Sequence, residues 1–160
     1  MVSSAQREEL RTIVHREAEQ SRLSAPLLEA IITVESRWNP WALRMEKNFA
    51  YVVDIERHAK FSQITAETER TLQRMSFGLM QIMGGTARSI GFIGPLATLL
   101  DPEANVHWGA RYFTRLTQQY TMVTDQIAAY NAGRARRDLG GLYINQAYVE
   151  KVSKALAESL

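Results

Sequence analysis

The chain contains no cysteine. That excludes disulfides, thiolate nucleophiles and cysteine-ligated metals, and leaves the protein able to work in an oxidising or a reducing compartment. Histidine is scarce too. His15, His58 and His107 stand far apart and share no metal-ligand spacing with one another or with nearby acids. None is placed as the base that a serine nucleophile would need. No glycine-rich phosphate cradle occurs, so neither a metal nor a cofactor is expected. No apolar run approaches the roughly 18 residues of a membrane span, so stable insertion into a bilayer is not expected. Residues 1–20 are charged throughout and lack the apolar core of a secretion signal. The charge excess is small, a formal +2 with a pI near 9.0. That balance suits an anionic polymer or surface. It does not argue for nucleic acid, because Arg134-Ala135-Arg136-Arg137 is a short cluster beside a turn and no dense basic stretch is interleaved with aromatics.

What is there is an ordinary globular composition, 46% hydrophobic and 22% charged, in 160 residues. That suffices for one domain with room for a small insertion. The periodicity is helical nearly throughout. Residues 4–20 carry Leu10, Ile13, Val14 and Ala18 at helical spacing against a charged face. Asp101-Pro102-Glu103 is a strong helix start, combining a cap, a first-turn proline and an acid favoured by the dipole. Val106, Ala110, Phe113 and Leu116 continue that helix's apolar stripe. Thr124 is expected to cap a short helix through Tyr130, ended by Gly133. Asn145 is expected to cap the last helix, with Tyr148, Val149, Val152 and Leu156 facing inward. Residues 91–95 and 137–143 read as loops. Residues 44–75 stand apart, charged and free of glycine and proline. They are expected to form one or two helices inserted beside a cleft, as a packing flap or as a lid. Phe49, Tyr51, Phe61 and the acids Asp54, Glu56, Glu67 and Glu69 are the candidates there for touching a ligand.

One acid is out of keeping with its helix. In residues 24–36 Ser24 suits the N-cap and Pro26 the first turn. Counting back from Glu35 by three, four and seven lands on Ile32, Ile31 and Leu28, which puts its carboxyl on the apolar face. Desolvation there disfavours the charged form and keeps a proton available near neutral pH, as a general acid requires. A solvated glutamate, or one paired with an arginine, is the alternative. Trp38-Asn39-Pro40-Trp41 is expected to stop this helix, since Pro40 pushes Asn39 out of the α region. The two tryptophans are suited to wall a sugar or another flat-faced ligand, or to fill the core.

Five strings together carry a resemblance. Glu35-Ser36 stands with Trp38-Asn39-Pro40, and Gly78-Leu79-Met80-Gln81-Ile82-Met83 with Thr86-Ala87. Asp101-Pro102-Glu103-Ala104-Asn105 with Gly109-Ala110-Arg111-Tyr112 comes next, then Ala129-Tyr130-Asn131-Ala132-Gly133, and last Tyr148-Val149. In this order they resemble the lytic transglycosylases of the soluble (SLT) type, relatives of the goose-type lysozymes. The resemblance implies a compact, mainly α-helical, lysozyme-like domain over residues 1–160, with the insertion at 44–75 beside its cleft. It implies action on peptidoglycan glycan strands, and a monomer is expected.

It also implies a single catalytic acid. Glu35 would protonate the oxygen between N-acetylmuramic acid and N-acetylglucosamine, and its carboxylate would then accept the proton of the muramoyl C6 hydroxyl as that group attacks C1. The product is a 1,6-anhydro sugar, and the tethered nucleophile needs no second carboxylate to activate water. Ser36, Gln81, Met83, Tyr130 and Asn131 are the expected glycan-binding residues. From residue type alone, Gln81 offers donors and acceptors and Met83 an apolar face. Met80 and Ile82 read as core, and Asn131 serves equally well as a turn residue near Gly133. Many members carry an acid about four residues before the final Tyr-Val. Ile144 stands at that place, so the contact is absent or supplied by neutral Asn145 or Gln146. Two other readings stay open. One is a hydrolytic muramidase with a second acid from the insertion or from Asp101, and the other a non-catalytic wall-binding module. Without a secretion signal, the enzyme is expected to reach the periplasmic wall through a holin-like pore or in a virion, as a phage-encoded lytic protein would.

Overall fold

A computed structural model describes residues 2–159. The protein is mainly α, with helices α1 (Ser4–Ser21), α2 (Ala25–Glu35), α3 (Ile55–Ser62), α4 (Ala66–Gln73), α5 (Gly84–Ser89), α6 (Pro102–Gln119), α7 (Val123–Ala132) and α8 (Gln146–Ala157). A short 3-10 helix covers Leu96–Leu100. The sequence reading missed a small antiparallel sheet, β1 (Leu43–Met45), β2 (Met75–Phe77) and β3 (Ile82–Met83), in the order β1-β2-β3. Its strands are only two or three residues long. Such strands show no alternation that a sequence window can detect, and the pairing of Leu43 with Phe77 is wholly non-local.

The main core is built by the stripes of α1, α2, α6, α7 and α8. Val14, Leu28, Ile31, Ile32, Val106, Phe113 and Val152 are all buried in it. Ser24 caps α2 by accepting the Leu27 N–H, and Asp101 caps α6 by accepting that of Ala104. Two other expected caps fail. Met122, not Thr124, precedes α7, and the Thr124 hydroxyl instead accepts a hydrogen bond from Tyr143 Oη. Asn145 stands at the N-cap of α8 but makes no side-chain cap. Its amide nitrogen donates to Ala128 O and Asn131 Oδ1.

Helix α2 stops earlier than Pro40 requires. Ser36 is its C-cap, and Arg37 and Trp38 follow at φ +54° and +66°. A left-handed tryptophan is costly. Here the turn drives the indole into the core at 2% exposure, with Nε1 donating to Thr33 Oγ1 at 3.0 Å. Arg7 and Arg11 lie over its face. Burial of this ring is the compensation for the strained turn that ends the helix at Glu35.

A second, smaller core (Phe77, Ile82, Ala87, Leu96, Leu99) lies under β2, α5 and the 3-10 helix. Asn105 of α6 ties it to the first. Its buried amide donates to Phe77 O and Leu99 O, both at 2.7 Å, and accepts the Met80 N–H at 2.8 Å. The turn it holds requires Gly78, which sits at φ +66°, where a Cβ would lie 2.4 Å from Asn105 Nδ2.

Residues 44–75, expected to form one or two helices, contain two, α3 and α4, between β1 and β2. Helix α4 packs on α5 and is locked by a buried ion pair. Arg88 Nε and Nη2 donate to the two oxygens of Glu69 at 2.8 and 3.0 Å, with both side chains fully buried. Gln73 donates to Glu69 and brackets the Val53 backbone.

Candidate active site

The end of α2, the chain leaving β1, the Gly78 turn with β3, and the end of α7 converge on one cavity of about 470 Å³. Glu35 stands in its wall. It is the last residue of α2, half-buried, and makes no ion pair among the described residues. Its one direct side-chain polar contact among the described residues comes from far along the chain: Tyr148 Oη, on α8, donates to Glu35 Oε1 at 2.7 Å. Burial raises the carboxyl's pKa above its ordinary value. The Tyr148 hydrogen bond and the Arg44 cation pull it back, and the Glu46 carboxylate pushes it up. The net direction is up, so the protonated form survives to higher pH than in a solvated glutamate. Tyr148 itself is pushed far above the phenol range by burial and by Glu35. It therefore acts as a fixed donor and not as a titrating group.

The other residues expected to bind glycan divide. Met83 and Asn131 line the cavity, Met83 half-buried and Asn131 exposed. Asn131 Oδ1 accepts from Asn145 Nδ2 at 2.9 Å, so Asn145 supports the rim from behind. Gln81 lines the cavity, but its polar atoms are spent on the protein. Nε2 donates to Ala42 O and Gly78 O at 3.0 and 2.9 Å, and Oε1 accepts from Ser76 Oγ at 2.8 Å. The side chain is turned inward because Gln81 sits at φ +47°, at the close of the Gly78 turn. Tyr130 also lines the cavity while donating its hydroxyl to Met80 O at 2.8 Å. These two shape the wall and do not reach into it as free hydrogen-bonding groups. Ser36 does not line the cavity; its hydroxyl donates back to Ile32 O at 3.2 Å.

Several candidates fall away. Trp38 is core, and Trp41, 70% exposed, lies outside the cavity. Asp101 is occupied as a helix cap. Of the insertion's aromatics only Phe49 lines the cavity; Tyr51 and Phe61 are exposed elsewhere. Asp54, Glu56, Glu67 and Glu69 are absent from the lining, but Glu46 is in it, with Arg44 3.7 Å away. Sequence reasoning missed Arg44 and Glu46, because nothing in residues 44–49 shows that β1 will turn this stretch toward the acid. It placed Tyr148 correctly on an inward face but not against Glu35. Tyr148-Val149 was the available signal. Residues 12–142 match the family described as Transglycosylase SLT domain.

Proposed function

Since the chain belongs to the transglycosylase SLT domain family and is thus a peptidoglycan lytic transglycosylase, we propose that Glu35 performs both proton transfers of an anhydro-forming cleavage. The Glu35 proton passes to the oxygen joining N-acetylmuramic acid to N-acetylglucosamine, and the C1–O bond breaks. The muramoyl C6 hydroxyl then bonds to C1 and returns its proton to the carboxylate. Atoms balance without water, and the acid is regenerated. The observation that carries this reading is a carboxyl in a cavity wall, raised in pKa by burial and held by a phenol with no cation paired to it. Tyr148 fixes the carboxyl's orientation and stabilises its ionised form between the two transfers. Met83 supplies an apolar surface for a sugar ring, and Asn131 a rim amide whose Nδ2 has no partner among the described residues.

Glu46, in the same cavity, keeps a hydrolytic muramidase as the second reading. A second carboxylate serves as base for water at roughly 6.5–9.5 Å from the acid, or as nucleophile at roughly 5–5.5 Å. Digestion of purified peptidoglycan in heavy-oxygen water decides between them. Anhydro-muramoyl ends without label are expected; labelled reducing ends overturn the mechanism in favour of hydrolysis. For its biological setting the reading is bacterial lysis by a phage-encoded enzyme, acting on the periplasmic wall after release through a holin-like pore or from a virion. Expression with and without a pore-forming protein tests it: lysis that depends on the pore supports delivery by that route.

A further inference from the structure

A second cavity, of about 530 Å³, lies between the end of α2 and the outer face of α8. It shares Glu35, Arg44 and Asn131 with the first, so the two meet at the acid. Their charges differ. The first sets Arg44 and Lys47 against Glu35 and Glu46. The second sets Arg37, Arg44, Lys151 and Lys154 against Glu35 and Glu158. Lys154 reaches Glu158 only at 4.0 Å, with both side chains largely exposed. Arg37 and Lys151 make no ion pair among the described residues. Lys151 and Lys154 are three apart on α8 and present their cations on one face. Glu35, its pKa raised, offsets this charge least when protonated for catalysis.

Neutral sugar rings accept hydrogen bonds from Lys and Arg but carry no charge to answer four cations. They are recognised by apolar faces and amides of the kind the first cavity offers. The recurrent negative charge of peptidoglycan lies on the carboxylates of the peptide stems attached to its muramoyl residues. We infer that the Arg37–Lys151–Lys154 side of the groove binds stem-peptide carboxylates, so that the enzyme selects stem-bearing strands over bare glycan. This rests on the peptidoglycan reading above and adds the part of the polymer that sets specificity. Exposed cations of this kind act mainly on capture of the substrate and are screened by salt, with a Debye length of about 10 Å at 0.1 M.

The test uses the full chain and a Lys151→Ala/Lys154→Ala variant, both substitutions being on an exposed, helix-tolerant face. Each protein is assayed for anhydro ends on purified stem-bearing strands and on the same strands stripped by an amidase, with the lactyl carboxylates so freed capped as methyl amides, at low and high salt. The expected result is a several-fold higher KM for stem-bearing strands in the variant, with kcat unchanged. The difference should vanish at high salt, and the rates on stripped strands should match between the two proteins. An equal loss on both polymers, or no loss, overturns the inference and leaves the cleavage reaction standing. A loss confined to strands that retain a covalently attached phosphodiester polymer assigns the cations to phosphodiesters and overturns the peptide assignment. If the unsubstituted chain forms no anhydro ends on either polymer, the cleavage reading fails instead.

Discussion

Glu35 and Glu69 are both acids shielded from water, yet the groups that meet their carboxyls differ. Glu69 is fully buried, bidentate to Arg88 and hydrogen-bonded by Gln73. Both of its oxygens are met by the one guanidinium. Glu35 is less buried and has only a phenol at hydrogen-bond distance, with Arg44 as a more distant cation. Burial alone does not make an acid catalytic. What matters is whether a cation has already claimed the charge, because a paired carboxylate has no reason to hold a proton. The ion pair braces the insertion from behind; the unpaired acid faces the cavity.

The contrast breaks most sharply at Glu35 itself. Glu35→Gln should lower anhydro-product formation by about 10²- to 10⁴-fold, the usual span for a general acid. The stability change has a definite sign. A carboxyl whose folded pKa lies above its unfolded value contributes stability that is fully present below the unfolded pKa and is lost as pH rises through the folded one. Glu35 therefore costs stability at neutral pH, and the amide should melt with wild type in acid but above it near pH 7. Thermal scans at both pH values check this. A melting difference that is larger in acid contradicts the assignment.

Arg88→Met makes the opposite cut. It strands a buried Glu69 and should cost about 3–5 kcal/mol by denaturant titration. Activity per folded molecule should be preserved, since neither partner lines the cavity. Adding Glu69→Leu should recover part of the loss. Recovery fails if the bonds from Arg88 to Phe92 O and Gly94 O are the main anchor.

Tyr148→Phe sharpens the comparison by leaving the Glu35 carboxyl with no hydrogen-bond partner among the described residues. Loss of a hydrogen bond to a charged group should cost kcat about a factor of ten. It should also move the alkaline limb of the pH–rate profile upward, because the phenol now lowers the acid's pKa. A downward move contradicts the donor role. Glu46→Gln should have the smallest effect, a slight downward move of the same limb, since that carboxylate raises Glu35. Its products should remain anhydro sugars. Abolished activity in the variant, with labelled hydrolytic ends formed by the unsubstituted chain, would instead make Glu46 the second carboxylate.

Local pattern made several elements legible. The caps Ser24 and Asp101, the first-turn prolines Pro26 and Pro102, and the left-handed Gly133 act within one helical turn. The caps Thr124 and Asn145 were misread because partners outside their own helices, Tyr143 for one and Ala128 and Asn131 for the other, claimed their side chains. At Gln81 the same effect redirects the polar atoms, although the residue lines the cavity as expected of its string. Its string identifies the turn, but the backbone carbonyls that consume its amide come from Ala42 and Gly78.

By itself, then, the sequence determined the mainly helical class, the apolar faces of α1, α2 and α6, and an acid set on one of those faces, since helical period and capping depend on residues a few places apart. Only the tertiary structure decided which groups meet that acid. Tyr148 lies 113 residues away in the chain, and Arg44 and Glu46 reach the cavity through a three-residue strand with no signature of its own. A carboxyl's proton affinity is set by desolvation and by the charges and donors folded against it, and none of those distances is written in the order of the residues.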